Sequence, residues 1–447
     1  MKGSFYLFFV IAFGILASIL DGSSASLFVL LLIIIVGVIE SFLSKKAYKE
    51  SINLLGVVTL IYTASAFIVS RNYLNGDYFL VPDASQYTQW IKLLQPEDDY
   101  FDMVMSNYLG LLDKDSLHEV FVRIICIFGN KYLGGATVYY LTLTHTFFGI
   151  LAILAIFRTL LYFFDNKDSY KYALVFAFCS QFFFYSNVII RDIVIAFCFA
   201  RGVEIIMGEF KFKKLIPLLL LCIIAMGVRL YSGLFMLSFV AIFFVKKIEK
   251  TKWRFIIVPA FVIFAAALVV AGVFSNLYEQ TLEDLQYYQE FDAAGASDGL
   301  SSRLLALPSG LKEIVMFFYS QFMPFPFYSF LEPVKNGTQL WESLICTVYP
   351  IWWYLVFYSF FILFFFYSGY KQVTLEKKLF IILCFINILI NTAQIDVRRM
   401  MPIYPFLYIM SLYMRKDVFN QKRVKSVMKF LSFSYVGLLF IYLIIKG

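Results

Sequence analysis

Apolar residues run in long blocks along this chain, separated by short polar connections and by two long ones. A helix that crosses a membrane needs roughly 20 apolar residues, since each residue rises about 1.5 Å through about 30 Å of hydrocarbon. Blocks of this kind cover residues 4–20, 26–43, 52–70, 134–161, 172–189, 191–207, 215–228, 231–245, 255–273, 343–367, 379–394, 398–414 and 427–445. They predict an all-α polytopic membrane protein with thirteen spanning helices, within a range of 12–14. The first block has Lys2 ahead of it and small residues from Ser23 to Ser26 after it, as a secretory leader would. It is read as a retained first anchor.

The whole chain, 1–447, reads as a single integral membrane domain, and its two long connections are 71–133 and 274–342. Both hold patterned apolar residues, so neither is a linker. Residues 100–127 predict an amphipathic helix or two, lying on the bilayer or dipping into it. Residues 310–330 end in Pro324-Phe325-Pro326-Phe327-Tyr328, which breaks a helix at membrane depth. Irregular backbone at that depth is tolerated only where protein or a water-filled cavity surrounds it. No internal repeat and no low-complexity tract interrupts the pattern.

Composition narrows the class. Apolar residues make up 61% and charged residues only 15%, where a soluble domain carries about 25% charge, so a water-soluble enzyme is excluded. The 53 Phe and 31 Tyr exclude a disordered chain, which is poor in aromatics. The net charge of +8 says less than where the bases lie. Clusters occur at Lys45/Lys46/Lys49, Lys167/Lys171, Lys211/Lys213/Lys214, Lys246/Lys247/Lys250/Lys252/Arg254, Lys371/Lys377/Lys378 and Arg415/Lys416/Lys422/Arg423/Lys425. With the amino terminus inside, every one of these loops falls on the cytoplasmic side, as the positive-inside rule requires. The two long loops then face outward.

The six cysteines sit inside apolar runs without a CxxC pair, and His118 and His145 belong to no HExxH. No metal site, disulfide framework or cofactor is read from them.

The informative charges lie on the other side. Arg191 with Asp192, then Arg229, then Arg398 and Arg399 after Asp396, fall near the outer turns of three hairpins. From Lys214 to Arg229 is 15 residues, about 22 Å of helix, which sets Arg229 below the outer surface. A charge inside the bilayer costs about 3 kcal/mol on the insertion scale and marks a functional site by default. Guanidinium groups grip phosphate in a two-pronged fashion, so four of them fit a diphosphate. The plainer alternative is that Arg191–Asp192 and Asp396 with Arg398 or Arg399 are ion pairs that fix helix register. Arg229 has no acid near it in sequence.

In the first outer loop, Asp83, Gln86 and Tyr87 share one helical face that Trp90 continues. A carboxylate, an amide and aromatic rings suit a sugar: hydrogen bonds at its edge, stacking on its face. Asp83 in a partly dry site is also a candidate general base for a hydroxyl; otherwise it caps a surface helix after Pro82. The run Glu97 to Asp99 reads as solvated surface. His118, beside Glu119 and Arg123, is a second acid–base candidate or a histidine of an interfacial helix; His145 reads as a packed polar contact. The second outer loop has Glu283, Asp284, Tyr287, Tyr288 and Glu290 on one helix, then Arg303, another base for phosphate or a surface arginine.

The chain resembles bacterial O-antigen and related polysaccharide repeat-unit polymerases. The resemblance rests on its length, aromatic richness and two large outer loops. It rests also on Ser186-Asn187-Val188-Ile189-Ile190-Arg191-Asp192, on Pro324-Phe325-Pro326, and on Arg398-Arg399 followed by Pro402 and Pro405. It implies a polytopic glycosyltransferase of the GT-C type in the bacterial inner membrane, with a periplasmic site. Such an enzyme moves a growing glycan from undecaprenyl diphosphate onto a new lipid-linked repeat unit. It implies that Arg191, Arg229, Arg398 and Arg399 hold the diphosphate, with Arg303 in reach. Asp83, His118 or Glu283 takes the acceptor's proton, and Gln86, Tyr87, Trp90 and Tyr287 meet the sugar. The partners implied are the bilayer, lipid-linked oligosaccharides and a chain-length regulator. No nucleic acid and no nucleotide sugar are needed. Some GT-C enzymes hold a metal on a first-loop acidic cluster, which Asp83 and Glu97 to Asp99 imitate; metal independence is preferred. O-antigen ligases use an outer-loop histidine, and the second loop here has none. The rival class is a flippase for lipid-linked oligosaccharide, which needs charge along a passage open to both sides.

Overall fold

The computed structural model describes residues 2–76, 81, 83–100, 116–248, 307–308, 311–331, 334, 336–392 and 397–446. Among these residues the chain is helical, without strands. Among the described residues five helices are long and apolar enough to cross a membrane: Ala25–Phe42, Lys45–Leu74, Val138–Leu160, Gly337–Phe366 and Gln421–Ile444. Phe5–Asp21 and Ser232–Val245 are shorter apolar helices. The expected span 255–273 lies outside the described residues, as do Glu283, Tyr287 and Arg303.

The chain divides into two compact units. The first comprises Met1–Gly208, Ile223–Leu230 and Phe327–Trp352. It holds α1 (Lys2–Asp21), α2 (Ala25–Phe42), α3 (Tyr48–Leu74), α4 (Ala84–Thr88), α5 (Trp90–Leu93) and α6 (Ser116–Tyr132). It continues with α7 (Val138–Leu160), α8 (Asn166–Cys179), α9 (Gln181–Tyr185), α10 (Asp192–Met207) and the end of α11 (Leu215–Val228). Here α7 is the core helix, packed against α2, α3, α8 and α10 and buried along most of its length.

The block 172–189 is not one helix. Ser180 turns the chain to extended backbone, with ψ 164°, and its hydroxyl accepts the Phe182 N–H that opens α9. Residues 186–191 then follow a non-helical path before α10 begins. That path is pressed onto α7. Thr146 Oγ1 donates to the Ser186 carbonyl at 2.8 Å, and the contact requires Gly149, where a Cβ would meet Ser186 Oγ at 2.1 Å.

Where α2, α7 and α10 end, four charges interlock. Arg158 Nε reaches Glu204 Oε1 at 2.8 Å and its Nη2 reaches Glu40 Oε2 at 2.8 Å. Arg201 Nη1 meets Glu204 Oε2 at 2.6 Å and Glu40 Oε2 at 3.2 Å. Two cations and two anions cancel, and each anion is shared by both cations, so the charges are tolerated where a lone one would be costly. All three helices run on into the basic connections at Lys45/Lys46, Lys167 and Lys211 to Lys214.

The second unit comprises Glu209–Cys222, Tyr231–Pro326 and Trp353–Gly447. It carries most of α12 (Leu230–Ile248), then α13 (Leu311–Tyr319), the latter part of α14 (Gly337–Phe361) and α15 (Leu375–Thr392). It ends with α16 (Val397–Met400), α17 (Tyr404–Tyr413) and α18 (Gln421–Lys446). The block 398–414 is also broken: a turn at Met401–Ile403 separates α16 from α17. Pro402 and Pro405 explain it, since each lacks an N–H and disfavours helix in the residue before it. Trp353 stacks on Tyr404 with centroids 3.8 Å apart and donates to Gln321 Oε1 at 3.1 Å. Gln321 in turn reaches Met400 Sδ at 3.4 Å, which ties the turn after α13 to the arginine-bearing α16.

Helices α1, α2 and α18 turn large apolar side chains outward, among them Phe8, Ile19, Ile35, Phe433 and Phe440. Apolar surface on that scale suits hydrocarbon rather than water.

Candidate functional site

The site lies in the first unit, where α4 and α6 cover the ends of α7, α10 and α11. Two glycines decide its shape. Gly149 admits residues 186–191, which carry Arg191 and Asp192 into place. Gly227, two residues before Arg229, admits α6, because a Cβ there would meet Leu117 Cδ2 at 2.6 Å and Leu117 Cβ at 3.0 Å. Leu117 neighbours His118, so one close approach brings α6 and its histidine against the end of α11.

Arg229 follows α11, and its Nη1 bonds Asp192 Oδ1 at 2.6 Å with both side chains more than 90% buried. The acid missing near Arg229 in sequence is supplied from the start of α10. Arg191, Asp192, Asp83 and Arg229 all act electrostatically on the Tyr87 hydroxyl. Burial raises the Tyr87 phenol above its ordinary value; the carboxylates push the same way and the arginines oppose them. Asp192 and Asp83 offset the two arginines, so the charge around Tyr87 is mixed rather than purely positive.

His118 is 1% exposed and His145 is wholly buried. Their Nε2 atoms are 2.9 Å apart, and His145 Nδ1 lies 2.9 Å from the Leu141 carbonyl oxygen on its own helix. The Tyr87 ring meets His118 edge to face, with centroids 4.6 Å apart. Burial, then the neighbouring His145, holds the His118 imidazole well below its ordinary pKa, with Asp192 opposing and Arg229 adding to the depression.

Asp83 and Gln86 are exposed, and Tyr87 and Trp90 are half-buried. Asp83 stands at the N-cap of α4 without a capping hydrogen bond from its side chain. Trp90 has the Arg123 guanidinium 3.9 Å over its ring, and Arg123 also pairs with Glu119. One face of Trp90 is thus already covered. The opposite side of α4 and α5 opens on a pocket of about 560 Å³, lined among others by Asp21, Arg71, Ser85, Gln89, Lys92 and Thr137. Asp21 Oδ2 accepts from Ser26 Oγ at 2.7 Å and Thr137 Oγ1 at 2.5 Å, and Arg71 donates to the Leu20 carbonyl at 3.2 Å.

The structure therefore gathers Asp83, Tyr87, His118, Arg191 and Arg229. Arg398 and Arg399 are half-buried on α16 in the second unit. Sequence reasoning missed the role of His145 as the partner of His118 and that of Asp192 as the partner of Arg229. The visible signals were Gly149 and Gly227, small residues inside apolar helices. Among the described residues no group of three His, Cys, Asp or Glu side chains is placed to hold a metal ion.

The fold defines the class: an all-helical protein with several helices able to span a membrane. No protein-family model matches the chain, and no curated protein or solved structure matches it.

Proposed function

We propose that this protein is a polysaccharide repeat-unit polymerase of the bacterial inner membrane, with its amino terminus in the cytoplasm and its site facing the periplasm. The acceptor hydroxyl oxygen bonds to the anomeric carbon of the donor glycan, and the bond from that carbon to undecaprenyl diphosphate breaks. Its electron pair leaves on the diphosphate, and the hydroxyl proton passes to a base of the protein. Arg191 and Arg229 stabilise the charge that develops on the leaving diphosphate, in a site poor in water where such donors act strongly. Gln86 and Tyr87 meet the sugar, and the pocket beyond α4 and α5 gives a second ligand a place beside the first. Arg398, Arg399 and Arg303 are further phosphate ligands in this reading, and Glu283 and Tyr287 further groups for base and sugar. No cofactor is required, and a chain-length regulator is the protein partner.

The observation that carries the reading is Arg229, fixed by Asp192 among Tyr87, His118 and Arg191. A fixed guanidinium beside an acid–base side chain and aromatic, amide and carboxylate groups is what transfer from a lipid diphosphate to a sugar hydroxyl needs. The charges among α2, α7 and α10 pair with one another, which supports a bracing role for them rather than a role in moving a charged lipid.

The test is reconstitution with an undecaprenyl-diphosphate-linked oligosaccharide repeat. A ladder of products rising by whole repeats, retained in chelator and lost in Arg229→Ala, supports the reading. Transbilayer movement of the lipid without new glycosidic bonds would replace it with a flippase.

A further inference from the structure

The two histidines of this chain form a directional pair whose order follows from one atom. His145 Nδ1 is 2.9 Å from the Leu141 carbonyl oxygen. A carbonyl has only lone pairs to offer, so Nδ1 must carry the hydrogen. Thr144 Oγ1, 3.3 Å from the same nitrogen, donates its own hydrogen to that carbonyl and leaves a lone pair for His145. A neutral His145 with its hydrogen on Nδ1 has a bare Nε2. That bare nitrogen faces His118 Nε2 at 2.9 Å, so His118 must donate there. His118 then carries its single hydrogen on Nε2, and its Nδ1 is a bare lone pair. This Nδ1 is buried and has no hydrogen-bond partner among the described residues.

The reverse order fails on the same grounds. A hydrogen on His145 Nε2 would set two lone pairs against each other at the Leu141 carbonyl and would leave His118 Nδ1–H a buried donor without an acceptor. Either order leaves His118 Nδ1 without a partner among the described residues, so the Leu141 carbonyl decides between them. An unpaired acceptor is what a base requires, and burial keeps the imidazole neutral, with that lone pair free of a proton.

We infer that His118 is the base for the incoming hydroxyl, accepting its proton at Nδ1, and that His145 is the positioning residue that fixes this tautomer. The inference rests on the polymerase reading above. In the step, the hydroxyl O–H breaks and its proton bonds to His118 Nδ1. The oxygen bonds to the anomeric carbon, and the carbon–oxygen bond to diphosphate breaks with its electrons going to the leaving group. The imidazolium so formed donates more strongly to His145 Nε2 through the bond already in place, so no side chain must move. The Tyr87 ring against His118 restricts its rotation. Asp83 is exposed to water, which favours His118 over it as the base.

With just two histidines in the sequence, nitrogen-15 NMR of histidine-labelled protein in nanodiscs reads both tautomers, each assigned by its own substitution. The expected spectrum has His118 protonated on Nε2 and His145 on Nδ1. In the reconstituted assay His118→Ala lowers kcat about 100-fold or more, the usual range for a general base. His145→Phe lowers kcat about 10-fold or more with KM unchanged, and His145→Gln, whose amide oxygen can accept from His118 Nε2–H, restores most of the rate. The opposite tautomer order overturns the inference without reference to turnover. Full polymer from His118→Ala sinks the base role alone, while a wild type that makes no polymer sinks the polymerase reading and the base role together. Equal losses in His145→Phe and His145→Gln, with both eluting as folded protein, would reduce His145 to packing.

Discussion

Arg229 Nη1 bonds Asp192 Oδ1 at 2.6 Å, and each side chain is less than 10% exposed. The pair joins the end of α11 to the start of α10, so it positions a cation and braces two helices at once. Those two roles can be separated. Removing one partner of a buried pair strands the other charge and costs about 3–5 kcal/mol, whereas replacing both with apolar residues of similar size is often neutral. Asp192→Leu alone is expected to lower the melting temperature in detergent sharply. The double change Arg229→Met with Asp192→Leu should recover most of that loss and still make no polymer. Recovery of activity in the double variant would show that the pair is a brace and nothing more.

Gly149→Ala should be far more damaging than its chemistry suggests. The new methyl would meet Ser186 at both Oγ and Cβ, 2.1 and 2.5 Å away, too close to the backbone for a side-chain swing to relieve. Overpacking of this kind costs about 1–3 kcal/mol and would displace residues 186–191 with Arg191 and Asp192. Gly437→Ala is the control, because nothing lies within 4 Å of its added carbon. Thermal unfolding of both, beside the polymer assay, checks the expectation; equal behaviour would refute the close approach.

The depressed pKa of His118 has a consequence for stability. Its folded-state value lies below the ordinary 6.5, so the unfolded chain binds the proton more readily. The associated stability is fully present above about pH 6.5 and is lost as pH falls from there through the folded value. His118→Phe removes this dependence, so the difference in melting temperature between wild type and variant should change as pH falls through that window. A constant difference would mean that His118 is not held neutral by the fold.

The pocket beside α4 and α5 should matter to one substrate more than to the reaction step. Arg71 and Gln89 line it and lie off the cluster around Arg229. Arg71→Ala and Gln89→Ala are expected to raise KM for the acceptor several-fold and to change kcat little. A fall in kcat with unchanged KM would remove the pocket from substrate binding.

Much of the architecture was legible because burial and hydropathy write directly into a membrane sequence. The blocks at 26–43, 52–70, 134–161 and 427–445 became α2, α3, α7 and α18. The breaks at Ser180 and Met401 were not legible from hydropathy, since Phe182, Phe183 and Phe184 continue an apolar run straight through the first of them. What ends the helix there is a serine hydroxyl bonding a backbone N–H two residues on, a local competition that apolar counting does not see. The arginines were visible as costly charges, but their partners come from other helices, so Asp192 with Arg229 and His145 with His118 needed tertiary contacts. His145 looked like packing because nothing in its own helix shows that a second imidazole reaches it.

Helix α7 is held near one end by His145 and Thr146 and near the other by Arg158, thirteen residues along, or about 20 Å. A rod clamped by directional bonds at two such points cannot tilt or slide without breaking one set of them. Motions that open the first unit must therefore be carried by the short helices laid across it, with α7 acting as the stationary post against which they move.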